Sequence, residues 1–76
     1  MTREEKKIYE AARYYSDDPD SFNLSQLVTA VMDLPLSQWP EGACQSKTAT
    51  KDAMRRVKTG NHKPTASNIL TALVTR

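Results

Sequence analysis

Apolar positions along the chain return at helical spacing, not at strand spacing. Ile8, Ala11, Ala12 and Tyr15 recur at i, i+3, i+4 and i+7, which predicts a helix over residues 4–16. Glu4 and Glu5 open it and suit the positive end of the helix dipole. Ser16-Asp17-Asp18-Pro19-Asp20 then breaks the pattern, because proline and Asx residues favour turns. A second helix is predicted from Asn23 to Met32, with Asn23 as N-cap and Gln26 three residues later in capping-box fashion. Leu24, Leu27, Val28 and Val31 form its stripe, the most apolar in the chain, and Phe22 is placed to staple the entry.

Pro35 and Pro40 bracket a less regular piece containing Trp39, which is read as core packing or a helix-end plug. From Pro40 to Ser46 the pattern allows a short helix with proline in its first turn, weakened by Gly42. Thr48 or Thr50 is the expected cap of the next helix, which carries Ala53, Met54 and Val57 on its inner face. That helix ends at Thr59-Gly60, glycine being favoured just past a helix C-terminus. Asn61-His62-Lys63-Pro64 reads as a loop, and Thr65 or Ser67 caps a last helix built on Ala66, Ile69, Leu70, Leu73 and Val74. Period-two alternation and Asn-Gly hairpin turns are both missing. The expected fold is therefore all-α.

Composition makes this a thin core. Leu, Ile, Val and Phe number 13 of 76 residues, with eight alanines that suit close helix packing. A chain of this length buries only roughly 60% of its unfolded surface. Net charge is only +2, so the low apolar count points to a marginal folded domain, not to disorder. The single cysteine, Cys44, excludes an internal disulfide and leaves no thiol pair for zinc; it is read as a small buried hydrophobe. The opening Met1-Thr2-Arg3-Glu4-Glu5-Lys6-Lys7 has no apolar run after its charges and does not read as a signal peptide. The longest uncharged runs, 21–32 and 64–75, fall short of the roughly 20 apolar residues of a membrane span. A soluble, cytoplasmic chain is expected.

Charge divides the sequence. Residues 1–45 hold four basic and eight acidic side chains, net −4; residues 46–76 hold seven basic ones against Asp52 alone, net +6. Such asymmetry points to a polyanionic partner for the basic half. A solvated basic helix face is the bland alternative. Concentration of charge within Lys47–Lys63 favours the functional one.

Two short helices joined near Ser46–Thr48, the second one basic, would make a helix-turn-helix over about 40–60. Thr48-Ala-Thr-Lys-Asp-Ala-Met-Arg-Arg-Val-Lys-Thr-Gly-Asn-His-Lys-Pro-Thr resembles the recognition-helix half of the phage Cro/repressor-like (XRE-type) helix-turn-helix domain. That family shows Ser-x-x-x-Ile-Ser-x-x-x-x-Gly-x-x-x-Pro followed by an apolar helix. Thr50 stands at the second serine-like cap, Met54 and Val57 at buried positions, and Gly60 and Pro64 at the end signature. Ile69-Leu70-x-x-Leu73 matches the following helix. Upstream the chain departs from the pattern: Pro40, Ala43 and Cys44 fall at the Gln, Leu and Ala positions, and Thr48 at the turn glycine. Pro40 cannot make the phosphate hydrogen bond of the family's glutamine. Length makes the chain a single helical domain over 1–76, expected as a small four- to five-helix bundle; the resemblance, mainly over residues 48–73, implies that it contains the motif and binds double-stranded DNA as a homodimer.

The residues support such a role on their own chemistry. A recognition helix reads base edges in the major groove with three or four side chains near its N-terminal part. Lys51 and Arg55, four apart, project opposite Ala53, Met54 and Val57; with Thr48 and Thr50 they are the candidate base contacts. Lys47, Arg56, Lys58, Asn61 and Lys63 flank that face and are the candidate phosphate contacts. Asp52 can accept from cytosine N4, but holding Arg55 or Arg56 by helical spacing is the favoured reading.

Other residues carry less. His62 reads as a surface residue of a basic loop, without the oriented partner that catalysis needs. Tyr9, Tyr14 and Tyr15 lie on an acidic helix that repels phosphate, so core or partner packing is the expectation. Paired carboxylates with a histidine, a Gly-rich phosphate loop and metal-ligand spacing are all missing, so neither an enzyme nor a cofactor or metal is expected. The reading is a small sequence-specific transcriptional regulator, repressor-like and of phage or mobile-element type. The alternative is a helical protein-interaction adaptor or inhibitor that binds a protein partner through the N-terminal helix. RNA binding is weaker, since no aromatic sheet platform or Arg-Gly run occurs.

Overall fold

Thr2 starts the first helix, its hydroxyl oxygen accepting from the Glu5 N–H at 3.2 Å. In the computed structural model, which describes residues 2–60 and 63–74, four α-helices follow one another. They are α1 (Arg3–Asp17), α2 (Ser21–Met32), α3 (Lys47–Thr59) and α4 (Ala66–Val74), with one 3-10 turn at Leu36–Gln38. Among the described residues there is no strand, so the all-α expectation holds. None of their helices is long and apolar enough to cross a membrane.

The helices pack mainly as two neighbouring pairs, α1 on α2 and α3 on α4, with smaller contacts of α2 on α3 and α1 on α4. Every helix gives the core one apolar face. Ile8, Ala12 and Tyr15 come from α1, Leu27, Val28 and Val31 from α2, Ala49, Ala53 and Met54 from α3, and Ile69 and Leu73 from α4. Leu34 and Trp39 close it between α2 and α3. Trp39 is buried as expected, and its indole N–H donates to the Leu34 carbonyl at 3.0 Å, so its one polar atom is satisfied.

Several expected helix ends move. The cap of α2 is Asp20, whose carboxylate accepts from the Asn23 N–H at 2.7 Å; Asn23 lies inside the helix. The Asn23 side-chain amide donates instead to the Asp18 carbonyl at 2.7 Å and to that of Tyr14 at 3.4 Å, satisfying the free end of α1. Phe22 does not staple the entry: it is 69% exposed. The helix expected over 40–46 is a turn leading into extended chain. Gly42, at φ +84°, is the third residue of a turn closed by the Ala43 N–H on the Pro40 carbonyl at 3.1 Å. That is type II geometry, which needs a positive φ at this place and is incompatible with a continuing helix. Cys44, expected buried, is exposed in the segment beyond that turn.

Candidate nucleic-acid interface

Ser46 sets the position of α3. Its hydroxyl oxygen accepts from the Ala49 N–H at 3.0 Å, so the cap is Ser46 and neither Thr48 nor Thr50. From that start, 3.6 residues per turn bring Ala49, Thr50, Ala53, Met54 and Val57 to the inner face. Lys47, Thr48, Lys51, Asp52, Arg55, Arg56, Lys58 and Thr59 are left exposed.

Thr50 is thus removed from the expected base-contacting set. It has no exposed surface, and its hydroxyl donates to the Ser46 carbonyl at 2.9 Å and lies 3.6 Å from the sulfur of Met32. A side chain buried under its own helix cannot touch a base. Thr48, Lys51 and Arg55 do share the outer surface.

The charge pattern of that surface opposes helix stability. Lys47, Lys51 and Arg55 lie in a row at i, i+4 and i+8, and like charges at this spacing destabilise a helix by roughly 0.2–0.5 kcal/mol per pair. Lys47 also stands in a first turn that carries no acidic residue, at the positive end of the dipole. Asp52 does not relieve this, since no ion pair forms among the described residues, with Arg55, Arg56 or any other cation.

The flanking cations divide. Arg56 and Lys58 occupy the last turn of α3, where the dipole favours them. Lys58 turns back over the ring of Tyr15, its Nζ 5.0 Å from the ring centroid, a contact worth about 0.5–1 kcal/mol at an exposed site. Lys63 is exposed beyond α3 and lines a cleft of about 230 Å³ together with Tyr9, Arg13, Ser16 and Asp17 of α1. Asn61 and His62 lie outside the described residues. Arg13 was missed in the sequence because it sits in the acidic half; only the packing of α1 beside residues 63–65 brings it to Lys63. The tyrosines divide too: Tyr15 is in the core, whereas Tyr14 is 68% exposed.

A second feature lies elsewhere, between α1 and α2. An open groove of about 610 Å³ is lined by Lys7, Glu10, Tyr14, Phe22, Gln26 and Asp33, among others. Among the described residues no cluster of His, Cys, Asp and Glu is arranged to hold a metal. No family model, curated protein or solved structure matches the chain.

Proposed function

We propose that this chain is a small sequence-specific DNA-binding regulator that lays the outer face of α3 into the major groove. One observation carries the reading: an exposed row of like charges, Lys47, Lys51 and Arg55, held on one helix with no ion pair among the described residues to neutralise it. A protein gains nothing in its own stability from that row. A polyanion supplies the missing partner charges, and Arg55 and Lys51 have the donors to read guanine O6 and N7. Thr48 shares the face, while Lys47, Arg56, Lys58 and Lys63 make phosphate contacts that set register and affinity. The residues before α3 do not supply the first helix of a short-turn motif, because 33–46 connect α2 to α3 over a longer path than three or four residues. The family likeness is kept for α3 and α4.

Two copies would read paired half-sites. The molecule measures 30 × 26 × 19 Å, so two fit side by side on half-sites roughly 34–36 Å apart. We assign the contact between copies to the α1–α2 groove, where Lys7 stands among the carboxylates of Glu10 and Asp33 and Tyr14 and Phe22 supply apolar area. A patch carrying both signs can complement its own copy across a two-fold axis.

Enrichment of bound duplexes from a random-sequence pool tests the reading: a recurrent, two-fold related sequence supports it. Retention of no duplex at low salt, with capture of one stoichiometric protein, supports the second reading. In that reading the exposed Tyr14 and Phe22 of the same groove hold a protein partner, and the chain is an adaptor or inhibitor.

A further inference from the structure

A cleft lies between α1 and the segment leading into α4. Arg13 reaches it from α1 and Lys63 from the segment after α3, two cations from elements far apart in sequence. Both are exposed, and neither is paired among the described residues: Asp17, one turn beyond Arg13 and in the same cleft, forms no ion pair with either. The hydroxyls of Tyr9 and Ser16 line the same space as additional hydrogen-bond donors.

Lys58 marks where the end of α3 comes against α1. Its ammonium rests over Tyr15, which with Tyr14 separates Arg13 from Ser16 on α1. The last turn of α3 thus meets α1 through Lys58, and Lys63 follows Gly60 closely in the chain, so the two cations of the cleft stand beyond the C-terminal end of α3. A helix seated in the major groove, about 12 Å wide, has a sugar-phosphate strand on either side.

Resting on the proposed function, we infer that the Arg13–Lys63 cleft is a second anchoring site, which grips a DNA backbone phosphate at the C-terminal end of α3. Arg13 and Lys63 donate to the phosphate oxygens, and Tyr9 and Ser16 complete the shell. Asp17 opposes binding by its charge and limits affinity for DNA of any sequence. The site reads no base, so it acts equally on every duplex.

The test is a salt titration of duplex binding, from about 50 to 200 mM, with a random-sequence duplex and four proteins: wild type, Arg13→Ala, Asp17→Asn and Lys6→Ala. All three substitutions are at exposed positions, and Lys6 is an α1 cation that lines neither cleft. The expected result is weaker binding by Arg13→Ala, with the slope of log K against log salt reduced by about 0.9, the loss of one phosphate contact. Asp17→Asn binds more tightly than wild type, and Lys6→Ala keeps the wild-type slope. An Arg13→Ala protein that matches Lys6→Ala, while wild type still binds, overturns the anchoring site alone. A wild-type protein that binds no duplex overturns the functional reading beneath it.

Discussion

Thr50 donates its hydroxyl hydrogen bond to the carbonyl of Ser46, one turn back along α3, at 2.9 Å. The same carbonyl also accepts the Thr50 backbone N–H at 2.9 Å, and the Ser46 hydroxyl accepts from Ala49. This knot of three hydrogen bonds fixes where α3 starts, and with it which side chains face outward. Ser46→Ala is expected to destabilise the domain by about 1 kcal/mol, the usual effect of losing an N-cap. Thr50→Val keeps the shape and leaves the Ser46 carbonyl one backbone partner, so a loss below about 1.5 kcal/mol is expected. Urea unfolding measures both. Thr50→Val should leave duplex preference unaltered, in contrast to a residue that touches a base.

Trp39 is the largest side chain that closes the core between α2 and α3. Trp39→Ala should lose about 3–5 kcal/mol, as large-to-small changes in cores do. A domain this small has little more than that in total, so the variant is expected to be largely unfolded by circular dichroism at room temperature. Trp39→Phe retains most of the apolar contact and gives up the bond to the Leu34 carbonyl, so it should fold with a lowered urea midpoint.

Gly42 is the one described glycine at positive φ, and a Cβ placed there would meet nothing within 4 Å. Gly42→Ala therefore carries only backbone strain, about 1–2 kcal/mol. Gly42→Asn should be milder, since asparagine tolerates the left-handed region. Thermal unfolding of the two variants ranks them. Equal stability of both with wild type would mean that the turn relaxes.

These sites also mark what was legible in the sequence. The apolar stripes of α1, α2, α3 and α4 have clean helical periods, and the structure keeps to them except at Val74, which the last turn of α4 leaves exposed. Pro40-Glu41-Gly42 is ambiguous locally: a proline opens a helix or a turn equally well, and only the positive φ of Gly42 decides. Ser46, Thr48 and Thr50 are three hydroxyl residues at alternate positions, each chemically able to cap. Burial of Ala49, Ala53 and Met54 selects the register in which Ser46 does so. That choice takes Thr50 off the outer face of α3 while leaving Lys51 and Arg55 on it. Asn23 could likewise cap α2, but Asp20 does, and Asn23, inside the helix, donates its amide to carbonyls at the end of α1. Arg13 had no local signal, since its relation to Lys63 is created by packing alone.

Phe22 separates folding from association. At 69% exposed it contributes little to the monomer, so Phe22→Ser should change stability by no more than about 0.5 kcal/mol. Sedimentation velocity across a concentration series should show the wild type as a dimer and Phe22→Ser shifted to monomer. A Phe22→Ser protein that dimerises as well as wild type would move the contact to another face.

The outward face of α3 is where the proposed function stands or falls, and Arg55 is its most informative residue. The decisive measurement is equilibrium binding of wild type and Arg55→Ala, at one salt concentration, to the best selected duplex and to its single-base variants. Arg55→Ala is expected to lose about 1–3 kcal/mol on the selected duplex and to stop distinguishing the bases at one position in each half-site. Wild-type affinity and discrimination in the Arg55→Ala protein would contradict a base-reading role for this helix.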